Sequence, residues 1–265
     1  MIHPTAVIDP RASIDESADI GPYVVVAGPV VVGAHTRLMA HATVVGATTL
    51  GTDNVVYNGA TIGQEPQDLA FSGQESFLRI GHRNVFREHV TVHRGTQPGT
   101  STVIGDDNYL MSNAHVGHNS HLGNRIILAN GALLGGHVEV GDQVFISGNC
   151  VVHQFVRIGR LAFLRGLSRT SRDVPPFCMM DGTHTVRGLN RVGLRRAGFG
   201  SAEIRSLGRA FARLFGRRVN LRLAVAELAA ESPTPEVVEL LAFIRESRRG
   251  VCFGPRRSGD GEADE

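Results

Sequence analysis

Counting in sixes from Ile8 gives an unbroken aliphatic series: Ile8, Ile14, Ile20, Val26, Val32, Leu38, Val44, Leu50, Val56 and Ile62. The same phase returns at Ile80, Phe86 and Val92, then runs from Ile104 through Leu110, Val116, Leu122, Leu128, Leu134, Val140, Ile146, Val152 and Ile158 to Leu164. Only Asp68, Gln74 and Pro98 interrupt it. A hexad with one inward aliphatic residue predicts a short strand plus a corner, and three hexads close one coil of a triangular-prism parallel β-helix. Residues eighteen apart then stack about 4.8 Å from each other, and the inward residues fill the axis as continuous ladders. The breaks leave the phase unshifted, so 64–79 and 93–103 are expected to loop out of a coil as excursions, where functional residues are commonly carried. Glycines that follow the aliphatic residue, such as Gly33, Gly51, Gly117 and Gly135, are expected to ease tight turns.

Past Leu164 the period fails, and DVPPF (173–177) reads as a linker. SAEIRSLGRAFARLFG, NLRLAVAELAAE and PEVVELLAFIRES carry helical spacing, with Ser201 and Ser232 as candidate N-terminal caps. The expected organisation is therefore a β-helix over 1–182, a small helical domain over 183–253 and a disordered tail over 254–265.

Composition agrees with a mainly β chain of many turns: 32 glycines, no tryptophan and 42% hydrophobic residues in 265. No apolar run approaches the roughly 20 residues needed to span a bilayer, and the polar start MIHPTAVIDP lacks a signal-peptide core, so a cytoplasmic location is the default expectation. Cys150, Cys178 and Cys252 are widely spaced and form no CxxC, which suggests neither a disulfide framework nor a thiolate zinc site. All 27 basic residues are arginine, and 13 of them fall in 183–253 against 6 acids. Arginines 205, 209, 213, 217, 218 and 222 read either as a solvated helix face or as a docking surface for an acidic partner. Nucleic acid is a poor match, because aromatic platforms and a recognised motif are missing.

The chemistry concentrates in NAHVGHNSHLGN (113–124), where His115, His118 and His121 lie three residues apart. The eighteen-residue repeat stacks His118, Gly136 and Gln154 on successive coils, with His137 and His153 as neighbours. Two chemistries fit such a cluster. Imidazoles could hold a metal, as in β-helical hydratases, although the His-x4-His pairing of those proteins is missing. Alternatively a neutral imidazole could act as general base toward a sugar hydroxyl, with the glycine beside it letting a ligand approach a backbone N–H as an oxyanion donor requires.

IGQEPQDL (62–69), VTVHRGT (90–96), NAHVGH (113–118), VVHQF (151–155), DVPP (173–176) and GLNRVGLRRAGF (188–199) resemble, in order, the motifs of the acyl-(acyl carrier protein)–UDP-N-acetylglucosamine O-acyltransferases. The resemblance spans 2–253. It implies a homotrimer of left-handed β-helices with helical C-terminal domains, and sites lying between subunits. It implies His118 as catalytic base and Gly136 as backbone oxyanion donor. Gln67, Asp68, His115 and Gln154 match sugar contacts, His137 a residue near the acyl chain, His153 a further site histidine, and Asn190 and Arg196 contacts to the nucleotide and its phosphates. Gly166 matches the position that sets acyl chain length. The implied reaction moves a 3-hydroxyacyl chain from acyl carrier protein to the glucosamine 3-hydroxyl of UDP-N-acetylglucosamine, the first step of lipid A synthesis, without metal or cofactor. An N-acyltransferase acting on a 3-amino UDP-sugar or on a UDP-3-O-acylglucosamine is the alternative, followed by a metal-dependent hydratase or a non-catalytic assembly module. Ala70, Asn119, Val192 and Ala197 depart from the family pattern; Asn119 stands where some members place aspartate beside the base.

Overall fold

The computed structural model describes residues 1–216 and 219–255. A left-handed parallel β-helix of strands mostly two or three residues long occupies most of them, arranged as three sheets. The first runs from Val7–Ile8 to Arg169–Thr170, the second from Ser13–Ile14 to Arg157–Ile158, and the third from Asp19–Ile20 to Phe163–Leu164 and on to Cys178–Met180 and Val186–Leu189. Each strand pairs with the strand one coil away, so that Val116 faces Leu134 and Leu134 faces Val152. The sixth-residue aliphatics are the core: Ile20, Val56, Ile62, Leu110, Leu134 and Leu164 are essentially inaccessible. Inside one corner, Asn54, Asn84 and Asn108 are fully buried and form a ladder, each amide linking its neighbour to a coil carbonyl.

Except at Gly63 (φ 86°), the left-handed backbone of the corners falls on another residue than the glycines that follow the aliphatics. It lies three places after the aliphatic residue, at Tyr23 (φ 57°), His35 (57°), Asn119 (58°), His137 (58°) and Phe155 (65°). The glycines answer a different need. A Cβ on Gly51 would sit 2.5 Å from the Gly81 carbonyl oxygen, and one on Gly117 would sit 2.6 Å from the Gly135 carbonyl carbon, so the next coil leaves no room for a side chain.

Val44 pairs with Ile62 eighteen residues on, whereas Ile62 pairs with Val92 and Val92 with Val116. The two excursions thus insert twelve and six residues, both multiples of the hexad. This is why the period survives them.

DVPPF is not a loose linker, since Asp173, Val174, Pro175, Pro176 and Phe177 are all buried. The Asp173 carboxylate accepts from the Arg157 N–H (2.9 Å) and the Ser247 hydroxyl (2.7 Å), and Val251 and Phe253 bridge back to Asp173 and Thr185. Among the described residues four helices follow: α1 (Arg191–Arg196), α2 (Ser201–Phe215), α3 (Leu221–Ala230) and α4 (Pro235–Glu246). The helical spacing shows the last three; the short α1 is made by its cap, Asn190, whose side chain accepts from the Gly193 N–H. Neither expected serine cap is used, for Gly200 and Thr234 occupy those positions. Arg160 ties α4 to the β-helix through Glu239 (2.7 Å) and lies over the Phe177 ring (4.8 Å). The tail expected over 254–265 lies, from 256 on, outside the described residues. Among the described residues no helix is long and apolar enough to cross a membrane.

Candidate active site

The edge where the first sheet turns into the second carries most of the candidate residues. Strand His115–Val116 leads into it and His121–Leu122 leads out. His118, Gly136 and Gln154 stack there as the repeat requires, with the His137 N–H bonded to the His118 carbonyl (2.8 Å) and the Phe155 N–H to the Gly136 carbonyl (2.9 Å). Both excursions leave the prism at this same edge, one between Thr61–Gln64 and Phe77–Ile80, the other between Thr91–His93 and Ser101–Ile104. A rigid scaffold thereby aims two loops at one histidine.

The His118 ring lies against Gly136, so close that any side chain there would collide with it. His137 meets it edge-on, with ring centroids 5.2 Å apart at 90°, and in turn stacks on Phe155 at 4.6 Å. On its other side His118 Nδ1 lies 3.0 Å from Asn119 Oδ1. Asn119 is clamped by the second excursion: its Oδ1 accepts from the Thr96 N–H (3.0 Å) and hydroxyl (2.9 Å), while its own N–H donates to Thr102 Oγ1 (2.7 Å).

The first excursion is fastened over this edge by Arg94, which reaches the Gly63 carbonyl (3.1 Å) and Glu65 (3.3 Å) and lies over the Phe71 ring (5.3 Å). Asp68 closes a turn through the Ala70 N–H (2.9 Å), and its carboxylate is near enough to His137 to favour that ring's protonated form. Gln67 is exposed. Burial nevertheless dominates at His137 and pushes it below the usual histidine range. His115, bonded to Thr91 Oγ1 (2.8 Å) and 5.3 Å from the His93 ring, is driven down to about 4 by burial and by His93 and His118. These neighbours are neutral near pH 7, which keeps added positive charge away from a base at His118.

His153 and Gln154 continue the same edge, and the other candidates lie elsewhere. His153 is exposed, one coil further, with Arg249 of the C-terminal strap 3.4 Å from its Nδ1; Gln154 is also exposed. Asn190 caps α1 and Arg196 ends it, and Asn190 spends its amide on the Leu161 carbonyl (2.9 Å) and the Gly193 N–H (3.0 Å), at the edge between the second and third sheets. Gly148 and Gly166, eighteen apart, stack as the repeat requires, a Cβ on Gly166 standing 3.5 Å from the Gly148 carbonyl, but at the edge between the third and first sheets. Within this chain neither group meets His118. The residues that sequence reasoning passed over are Thr96, His93, Phe155 and Arg249; Thr96 sits in an aperiodic loop, where the repeat assigns no position. Among the described residues, no three His, Cys, Asp or Glu side chains are grouped to hold a metal ion.

Comparison with known proteins follows the same lines. Residues 173–252 match the family model for Udp N-acetylglucosamine O-acyltransferase, domain 2, and residues 101–136 match the bacterial transferase hexapeptide repeat. An acyl-(acyl-carrier-protein)–UDP-N-acetylglucosamine O-acyltransferase of Thermodesulfovibrio yellowstonii is 42% identical over 254 residues, covering 95% of this chain and 98% of the relative. One of Janthinobacterium is 40% identical over 258 residues, with 97% and 98% covered. Among solved structures, the UDP-N-acetylglucosamine acyltransferase of Francisella novicida superposes with a TM-score of 0.91 at 34% identity, covering 97% of this chain and 95% of that one. The Arabidopsis enzyme gives 0.87 at 38%, covering 95% and 100%.

Proposed function

The chain belongs to the acyl-(acyl carrier protein)–UDP-N-acetylglucosamine O-acyltransferase family, and on that premise we propose that it moves a 3-hydroxyacyl chain from acyl carrier protein to the glucosamine 3-hydroxyl of UDP-N-acetylglucosamine. The observation that carries the site assignment is His118 lying against the backbone of Gly136, on the edge over which the Asp68 excursion folds. His118 takes the hydroxyl proton as the oxygen attacks the thioester carbonyl. The Gly136 N–H faces the oxyanion that forms, as a preorganised donor should. The intermediate collapses with cleavage of the carbon–sulfur bond, and the carrier protein leaves as its thiol, receiving the proton from His118.

The dispersed residues find their place in a homotrimer. On the coils around the site, Leu133 and Val151 face outward from the first sheet and Ile127, Phe145 and Phe163 from the third, whereas the second sheet presents His121, Glu139 and Arg157; further along, Thr43, Thr61 and Arg169 on the first sheet and Asp19 and Arg37 on the third are polar. Two faces per prism with apolar stretches at the level of the site suit three copies packed around one axis, each covering one face of both neighbours. That packing lays the Asn190 edge of one copy against the His118 edge of the next. Leu133 and Val151 lie on the first sheet between the His118 edge and the Gly148–Gly166 edge, which gives an acyl chain an apolar floor between the two.

For the acidic carrier, exposed Arg205, Arg209 and Arg222 offer positive charge; Arg213 is taken by Glu227 (3.3 Å) and Glu231 (2.7 Å), and Arg217 and Arg218 lie outside the described residues. Mass spectrometry of the product formed from UDP-N-acetylglucosamine, and from its 3-amino analogue, with one hydroxyacyl carrier protein tests this reading. An ester at the 3-hydroxyl supports it; acylation of the amino analogue alone would replace it with N-acylation.

A further inference from the structure

The environment of Asn119 dictates which nitrogen of His118 is basic. A backbone N–H can only donate, so the Asn119 atom 3.0 Å from the Thr96 N–H is the carbonyl oxygen Oδ1 and not the amide nitrogen. The Thr96 hydroxyl lies 2.9 Å from the same oxygen, on a residue that is only 2% exposed. The backbone that carries this side chain is itself held, with Asn119 in the left-handed region (φ 58°) and its N–H bonded to Thr102, so the two Thr96 donors set the orientation of the amide. An acceptor therefore faces His118 Nδ1 at 3.0 Å, and that nitrogen must carry the hydrogen. The bare nitrogen is then Nε2, the one beside Gly136. Neutral histidine in water favours the opposite tautomer, with hydrogen on Nε2, so the protein has to impose this one.

We propose that Thr96 is a positioning residue: its N–H and hydroxyl lock Asn119 Oδ1 against His118 Nδ1, which fixes the ring as the Nδ1–H tautomer and aims the Nε2 lone pair into the site. In this chain an uncharged amide, oriented by a loop, does what a carboxylate does unaided, since a carboxylate presents an acceptor in either orientation. The loop that supplies Thr96 is itself tied to the first excursion, through the Gln74 side chain donating to the Thr96 carbonyl and the Gly99 N–H donating to the Glu75 carbonyl (3.0 Å). Withdrawal of the excursion bearing Gln67 and Asp68 would loosen the clamp on Asn119.

This inference rests on His118 being the base, but its primary test does not use activity. Histidine labelled with nitrogen-15 in the full-length protein, with the His118 signals assigned by their loss in His118→Gln, reports at alkaline pH which ring nitrogen is protonated. The wild type is expected to show a protonated Nδ1 and a bare Nε2. Thr96→Val, which keeps the backbone donor and removes the hydroxyl, should shift part of the population to the Nε2–H form and lower kcat about fivefold at unchanged KM. Thr96→Ser should restore both, and Thr96→Ala serves as the second deletion of the hydroxyl. A wild type dominated by Nε2–H, or hydroxyl deletions with an unchanged His118 ring spectrum, would overturn the proposal. Loss of turnover in the wild-type assay, with the tautomer as expected, would instead indict the functional reading.

Discussion

A Cβ placed on Gly136 would stand 2.5 Å from both Cε1 and Nε2 of the His118 ring. No side chain fits between this backbone and the imidazole, so the position is closed to every residue but glycine unless the ring moves. Gly136→Ala should displace the ring, disturb the backbone donor beside it, and lower kcat by on the order of 10²- to 10³-fold, the usual cost of losing an oxyanion donor. Melting temperature should change little, since the edge is outside the core. Steady-state kinetics with a parallel melt checks this; a variant within twofold of wild type would show that the contact is incidental.

Acid should weaken the fold through the buried histidines. The unfolded chain protonates His115 near 6.5, whereas in the fold burial and the facing His93 and His118 hold it at about 4. Between those values the unfolded state binds the extra proton, so stability is complete above about pH 6.5 and is lost as pH falls toward 4. His93 and His137 are displaced the same way, both chiefly by burial. A series of thermal melts from neutral pH to about 4 should therefore slope downward in the wild type and less steeply in His115→Asn. Parallel slopes for the two would place the proton uptake elsewhere.

Much of the architecture is legible in the sequence because a β-helix repeats one physical constraint. Each sixth side chain faces the axis, and a polar residue there would be buried without a partner, so Ile20, Val56 and Leu134 announce their own environment. The same arithmetic stacks His118, Gly136 and Gln154. What it misses is set by space or by loops. Gly51 and Gly117 were legible as glycines, but their reason is the proximity of the next coil, a tertiary fact. Thr96 sits in an insertion that no period describes, and its partner Asn119 is distant in sequence. DVPPF has the composition of a linker, yet Asp173 at its head is buried and bonded to Ser247 from beyond α4.

Gly166 ought to govern the length of the acyl chain accepted. It tops a column of small residues above Gly148, and nearby Arg165 is drawn aside by Asp181 at 2.9 Å. Each buried methylene contributes roughly 0.8 kcal/mol, so four more contribute about 3 kcal/mol, on the order of a hundredfold preference for a chain of about fourteen carbons over one of about ten. In competition between the two hydroxyacyl carrier proteins, the wild type should choose the longer chain and Gly166→Met the shorter. An unchanged preference in the variant would show that the limit lies at another residue.

Replacing His118 itself bears most directly on the assignment. His118→Ala should lose about 10²- to 10⁴-fold in turnover, the range expected when a general base is removed. Binding of UDP-N-acetylglucosamine, measured by calorimetry on the same preparation, should stay within a few-fold of wild type, because the ring is assigned to the proton and not to holding the nucleotide. A variant that keeps more than half of wild-type turnover would contradict the account.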